Sequence, residues 1–418
     1  MALPSVHSPS SGERSGGRRL ARSGQVAARR VLILAPQPFY QDRGTPIALR
    51  QVIHAASELG YQVDLLTFPV GVDVHYPGLR IFRAGNPLDI GVVPIGLSLR
   101  KLALDASLLT AARDRLAREA YTCIHALEEA AWPGALLARR HGIPLLYDMQ
   151  SSIPEQLLKY PLAHVPPVPM LLARAERWLL DRADLVVASA GLGTRVRRMA
   201  PAATVREWRF PSTPSEVPHD QTLALRHRLK LPTDAPVILY SGTFEAYQGL
   251  GELIAAIPAV RATQPEARFV LVGADRTGRA ALGEVADELV RTGALTLVDR
   301  QPRSAMPAYL AMADLLVSPR AFGGNLPLKI FDYLAAGRPI VATDISTHRA
   351  VLTRRTAVLV EPNADALAQG IVSILRDPSK GRTLGDAARQ YAFEHLGWNR
   401  FVRSVGDIYE DAHRRVLA

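Results

Sequence analysis

The strongest constraint in this sequence is a repeated alternation: a short continuous apolar run, a loop rich in Gly and Pro, then a stretch of helical periodicity. The first cycle is Val31-Leu32-Ile33-Leu34-Ala35, a loop over 36–46, a helical pattern over 47–59 stopped by Gly60, and a second run over 63–67. A run that is apolar at every position belongs to a strand buried on both faces, and such strands occur in parallel sheets covered by helices. Parallel neighbours need a crossover, and that crossover is right-handed, so each cycle reads as a βαβ unit.

The cycle continues with strands expected at Ile81, 122–125, 144–148 and 185–189, and helices at 97–120, 132–140 and 169–181. From 211 to 236 the text turns to Pro, Ser, Thr, Asp and mixed charge, which marks a linker with a short helix at 221–230. A second series then opens with Val237-Ile238-Leu239-Tyr240. It predicts strands at 268–272, 295–298, 315–318, 340–343 and 358–360, helices to about 260 and over 279–291 and 328–336, two helices within 364–393 and a last one over 398–416. The fold class is therefore α/β, with two Rossmann-like doubly wound domains facing across a cleft. The expected organisation is a basic tail at 1–29, a first domain at 30–210, the linker at 211–236, a second domain at 237–395, and a helix at 396–418 packing back on the first domain. At about 150 residues per domain, 418 residues leave room for both cores.

Charge and cysteine content exclude several function classes. The net charge is +11, but the first 30 residues hold six Arg and one Glu, which leaves a modest +6 on the rest. That excess is too weak to argue for nucleic acid and is compatible with an anionic substrate or membrane surface. A single cysteine, Cys123, excludes an internal disulfide framework and a zinc site built on cysteines, and it points to a reducing, cytoplasmic setting. The segment 178–192 is the longest apolar approach to a membrane span, and Asp181, Arg182 and Asp184 interrupt it. The Ser, Gly and Arg-rich tail has no apolar core of a secretory signal and is expected to be disordered.

In open parallel sheets ligands bind beyond the carboxyl ends of the strands, so the loops there hold the candidate residues. After the first strand, Asp42-Arg43-Gly44-Thr45-Pro46 opens a helix. Two readings stay open: Gly44 lets an anionic ligand approach the helix N-terminus, or Thr45 caps the helix with Pro46 behind it. After the strand 144–148, Asp148, Gln150, Ser151 and Ser152 place polar groups where the two domains would meet. The second domain opens with Ser241-Gly242-Thr243-Phe244-Glu245-Ala246-Tyr247-Gln248-Gly249, a strand-to-helix turn able to offer backbone N–H groups to phosphate. The most informative stretch is 318–343, which reads as strand, Gly-rich loop, helix, Gly stop and strand. At its centre, the N–H groups near Asn325, Leu326 and Leu328 could hold a diphosphate, Lys329 adds charge, and Asp332 could accept hydrogen bonds from a ribose diol. A solvated surface acid is the plainer reading of Asp332.

With these motifs in view, the chain resembles the retaining nucleotide-sugar glycosyltransferases of family 4, which have the GT-B fold. The resemblance runs from about Val31 to the C-terminus and is most specific over 325–344. Residues 239–253 are similar to the family's first strand and helix of the donor domain, 270–273 to its Val/Ile-Gly strand end, and Gly397-Trp398 to the start of its terminal helix. It implies transfer of a sugar from a nucleoside diphosphate sugar, with retention of anomeric configuration, no bound metal and no further cofactor. Departures bear on the chemistry. The family's paired glutamates would fall on Gly324 and Asp332, its diphosphate-binding Arg and Lys near Thr243 and Gln248, and its His near Met149 or Gln150. The favoured account is a divergent subgroup in which Lys329, Arg43 or Arg320 neutralises the diphosphate. Asp148, Gln150 and Glu245 then stand as the candidates for contacts to sugar or acceptor hydroxyls.

For the acceptor, residues 161–172 are apolar and proline-rich, followed by Arg174, Arg177 and Trp178. With Arg100, Lys101, Arg113, Arg115 and Arg118 they suggest a glycan or lipid-linked acceptor and peripheral attachment to the inner face of a membrane. A core-packing loop beside a solvated helix face is the competing account. Two rivals also remain: a non-catalytic nucleotide-sugar-binding regulator or scaffold, and another GT-B activity such as an epimerase or a phosphorylase. His54, His125 and His141 lack ligand spacing and are read as structural.

Overall fold

The computed structural model describes residues 29–41, 44–91, 93, 98–152, 154, 157, 164–212, 216–323 and 327–414. The apolar runs form two parallel sheets. The first contains β1 (Arg30–Ala35), β2 (Gln62–Thr67), β3 (Leu79–Arg83), β4 (Cys123–Leu127), β5 (Leu145–Met149), β6 (Leu185–Ala188) and β7 (Val205–Arg206), in the order β3-β2-β1-β4-β5-β6-β7. The second contains β8 (Val237–Ser241), β9 (Arg268–Ala274), β10 (Leu295–Asp299), β11 (Leu315–Ser318), β12 (Ile340–Thr343) and β13 (Val358–Val360), in the order β10-β9-β8-β11-β12-β13. In each sheet the chain starts near the middle, runs to one edge and returns to build the other side. That reversal opens a crevice at the carboxyl ends of β1 and β4 in one sheet and of β8 and β11 in the other.

Central strands are buried at every position, as their composition requires: β4, β5, β6, β8, β11 and β12 expose no side chain. The edge strand β3 is half-buried, because helices cover less of it. Several elements differ from the sequence expectation. The helix expected over 279–291 is broken into Arg276–Ala280 and Gly283–Arg291, since Gly283 takes a left-handed φ of 76°. Helices Ala190–Met199 and Met306–Met312 and the two-residue strand β7 were not anticipated. The first is capped by Ser189, whose side chain accepts from the Leu192 N–H. The first crossover helix begins at Gly44 rather than 47, so Thr45 lies inside the helix and does not cap it.

The terminal helix Trp398–Arg414 follows the second sheet in sequence and lies on the first. Phe401, Val405, Ile408, Tyr409 and Ala412 share one face by helical spacing, and all are buried. Its start meets helix Gly44–Glu58, where the Trp398 indole N–H donates to Glu58 and its ring packs 4.6 Å from that of His54. One apolar core consequently runs through both halves: Trp208 lies 6.2 Å from Phe401, Phe401 5.7 Å from Phe210, and Phe210 6.4 Å from Phe331 on the helix Lys329–Ala336.

Candidate functional site

Two polar centres lie in the crevice, one on each sheet. The second-sheet centre is built around Lys329, the first residue of helix Lys329–Ala336. Its ammonium donates to Gln248 Oε1 at 3.0 Å and sits 3.9 Å over the Tyr240 ring. Gln248 Nε2 reaches Thr243 Oγ1 at 3.4 Å, and the Tyr240 hydroxyl donates to the Thr243 carbonyl at 2.7 Å. Thus Thr243, Gln248 and Lys329, far apart in sequence, form one cluster. Glycine is required where strand ends converge on it. A Cβ on Gly242, at φ 147°, would come within 2.9 Å of Lys329 Nζ, and one on Gly273 within 2.1 Å of the Gly242 carbonyl oxygen.

Burial, then the neighbouring Arg320 guanidinium, pushes the pKa of Lys329 well below its ordinary value. Arg320 is itself 2% exposed, stacks 4.9 Å from the Tyr247 ring centre and donates through Nε to the Phe322 carbonyl at 3.0 Å. Among the described residues no carboxylate pairs with Lys329; its contacts are an amide and a ring. Desolvation without a carboxylate disfavours the charged form of this lysine, so an incoming anion would stabilise it. Behind this centre His348 is buried, with Nε2 3.0 Å from Ser318 Oγ and Nδ1–H donating to the Thr343 carbonyl at 2.7 Å. Burial, followed by Lys329 and Arg320, lowers its pKa to about 4, so it is neutral near pH 7.

The other expected donor residues differ in their surroundings. Leu328 is half-buried and immediately precedes the helix, with no side chain capping it. Asp332, one turn on, is not simply solvated: its carboxylate pairs with Arg303 Nη2 at 3.2 Å, and burial raises its pKa while Arg303 opposes that. Asn325 and Leu326 lie outside the described residues, as does Arg43. Glu245 is exposed, and its carbonyl accepts from the Gln248 N–H at 2.9 Å. Gly44 is exposed, and nothing lies within 4 Å of where its Cβ would be, so its surroundings are open.

The first-sheet centre surrounds Asp148, at the end of β5 and 3% exposed. Its Oδ2 accepts from Trp208 Nε1 at 3.1 Å and lies 3.4 Å from His125 Nε2, while Oδ1 accepts from Gln150 Nε2 at 2.7 Å. His125 Nδ1 is in turn 3.0 Å from the Tyr409 hydroxyl on the terminal helix. Gln150, Ser189, Trp208 and Phe210 line the adjacent crevice. Ser151 and Ser152 do not converge there as expected. Ser151 donates to Glu128 at 2.8 Å and Ser152 to Glu176 at 2.8 Å.

The sequence reading assigned no role to Trp208, Tyr409, Glu128, His348 or Arg303, and it took His125 as structural. Glu128 holds an uncommon left-handed φ of 49°, and burial lifts its carboxyl to about 8 against the hydrogen bond from Ser151. Nothing in local sequence signals that strain. Among the described residues, no group of three or more His, Cys, Asp or Glu is arranged to hold a metal ion, and no helix is long and apolar enough to cross a membrane.

Comparison with known proteins agrees with this fold. The family model described as glycosyl transferases group 1 matches residues 235–377, and the glycosyl transferase 4-like domain matches 43–206. The D-inositol 3-phosphate glycosyltransferase of Thermobispora bispora is 26% identical over 399 residues, 89% of this chain and 91% of that protein. The protein of the same name from Streptomyces avermitilis is 26% identical over 306 residues, 68% of this chain and 64% of that protein. Among solved structures, sucrose-phosphate synthase from Thermosynechococcus elongatus superposes with a TM-score of 0.77 at 24% identity, covering 92% of this chain and 98% of its own. HepE of Anabaena, solved with UDP and glucose, gives a TM-score of 0.69 at 18% identity, covering 91% and 98%. These two likenesses establish the fold.

Proposed function

Because the chain belongs to the group 1 glycosyltransferases and has their GT-B fold, we propose that it moves a sugar from a nucleoside diphosphate sugar to a glycan or lipid-linked acceptor with retention of configuration. The observation that carries the donor reading is the Lys329 ammonium beside Gln248 and Thr243. Those two positions are where the family resemblance expects its Lys and Arg, and here the lysine comes instead from the start of helix Lys329–Ala336. In this reading Lys329 and Arg320 draw the diphosphate to Gly242 and the start of helix Lys329–Ala336, and Asp332 accepts from the ribose diol. As the glycosidic bond breaks, negative charge grows on the leaving diphosphate. Cations already fixed in a desolvated site stabilise that charge without further reorganisation. Retention is carried by the resemblance. Gln150 and Glu245 are the polar groups offered to the sugar and acceptor, and no metal is assigned a role.

A membrane-proximal acceptor is supported by the outer face of the first domain. Helices Leu99–Arg118 and Val168–Leu180 expose Leu99, Leu102, Met170 and Leu171 beside Arg100 and Arg174, while Arg177 is held by Asp181 at 2.8 Å. Not every basic residue expected there serves it: Arg115 turns inward to Asp64 at 3.2 Å, and Lys101 pairs with Glu129. Cations over apolar side chains suit an anionic lipid surface.

Titration calorimetry with UDP, GDP and ADP, followed by anomeric analysis of the transfer product by NMR, tests the reading. Binding of one nucleotide that weakens in Lys329→Met, together with a product of retained configuration, is expected. Absence of binding overturns the donor site, an inverted product overturns retention, and binding without turnover favours a non-catalytic relative.

A further inference from the structure

Asp148 is enclosed by groups that fix what each of its oxygens does. The Trp208 indole can only donate, and it donates to Oδ2 at 3.1 Å, with His125 Nε2 on the same oxygen at 3.4 Å. His125 has its other nitrogen against the Tyr409 hydroxyl, which can supply a proton to it, so Nε2 is free to carry the hydrogen directed at Asp148. Oδ1 remains for Gln150 at 2.7 Å. A carboxylate offers no hydrogen, so Gln150 must turn its NH2 inward, and its carbonyl oxygen is left on the side of the crevice it lines. An asparagine at 148 would hold its carbonyl to Trp208 and His125 and face Gln150 with an NH2, which would reverse that amide.

We infer that Asp148 is a positioning residue: it fixes the Gln150 amide so that its carbonyl oxygen accepts a hydrogen bond from a hydroxyl of the donor sugar. This rests on the nucleotide-sugar reading above. Asp148 itself is too deeply engaged to meet the sugar. The role left to it is to set the polarity of a half-buried amide at the mouth.

The test compares the full chain with Asp148→Asn, Gln150→Glu and the double variant. In Asp148→Asn the reversed amide presents an NH2 where the sugar hydroxyl needs an acceptor. In the double variant the new glutamate accepts from the new asparagine with one oxygen and offers the other to the crevice, which restores the acceptor. Gln150→Glu alone sets two carboxylates against each other. Two quantities are read: solvent exchange of the Gln150 side-chain NH2 by NMR without ligand, and the gain in affinity of UDP-glucose over UDP and of GDP-mannose over GDP. The expected result is slow NH2 exchange in the wild type and fast exchange in Asp148→Asn. The sugar-dependent gain should fall about tenfold in Asp148→Asn, the net worth of one hydrogen bond, and return to within about threefold in the double variant. Affinity for UDP and GDP alone stays constant throughout. Unchanged exchange in Asp148→Asn, or a double variant no better than the single one, overturns the inference, as does a wild type in which neither sugar adds affinity. If neither nucleotide binds the wild type, the donor reading fails on its own, and the exchange rates still decide the orientation of the amide.

Discussion

The two crevice centres both bury charge, and they do it in opposite ways. Around Asp148 an indole, an imidazole and an amide direct hydrogens at one carboxylate, so its hydrogen-bonding capacity is met from within the chain. Around Lys329 an ammonium is desolvated by a ring and answered by one amide oxygen, with another cation close by. A saturated centre has its energy invested in the fold. An unsaturated one holds energy in reserve for a ligand of opposite charge. The difference separates a residue whose bonds are made within the chain from one left able to meet a ligand, although both were candidates on sequence alone.

The severest test of that contrast is to remove the saturated anion. Asp148→Ala leaves the Trp208 and His125 hydrogens without an acceptor in a buried site, and about 4 kcal/mol of stability should disappear, seen as a lower urea midpoint. A variant as stable as the wild type would show that the centre is less closed than its geometry indicates.

Acid sharpens the comparison from the other side. The pKa of His348 is about 4 in the folded protein against an ordinary value near 6.5. The folded state therefore binds fewer protons than the unfolded chain across that window, and stability present above pH 6.5 is lost as pH falls toward 4. The loss should reach about 3 kcal/mol, at 1.36 kcal/mol per unit. Urea midpoints at pH 7 and 4.5 measure it, and His348→Gln should flatten the dependence. An equal slope in that variant would assign the acid sensitivity elsewhere.

Lys329→Met should behave unlike Asp148→Ala. Exchanging a desolvated cation for an apolar side chain of similar length leaves the urea midpoint unchanged or higher, while nucleoside diphosphate affinity falls by about 2 kcal/mol, or thirtyfold. Loss of stability with intact binding would invert the assignment of the two centres. The smallest effect belongs to Asp332→Ala, since Arg303 already occupies part of its carboxylate. Calorimetry should find about fivefold weaker nucleotide binding, near 1 kcal/mol, and little change in the midpoint, because the pair is half-exposed.

Much of the architecture was legible because parallel strands buried on both faces leave an unbroken apolar signature. Val31 to Ala35, the run beginning at Val237 and residues 340–343 all announced themselves this way. Helix Ala190–Met199 was missed because Gly, Thr and Arg dominate it and its strongest signal, the Ser189 cap, had been read as the end of a strand. The break at Gly283 was hidden inside a continuous polar–apolar rhythm. In the site, Lys329 and Gln248 were each singled out, but a contact between residues 81 positions apart has no local pattern. Trp208 illustrates the limit most plainly. Its indole is one of the donors that hold Asp148, yet it follows a two-residue strand in a segment with no periodicity to interpret.

Tyr409 closes the Asp148 network from a position 284 residues beyond His125. Without the terminal helix, the apolar face of helix Gly44–Glu58 that it covers would meet water, and His125 would lose the Tyr409 hydroxyl. A segment that follows the second sheet in sequence thus finishes the first sheet's side of the crevice, so a chain cut between the two sheets would leave that side incomplete.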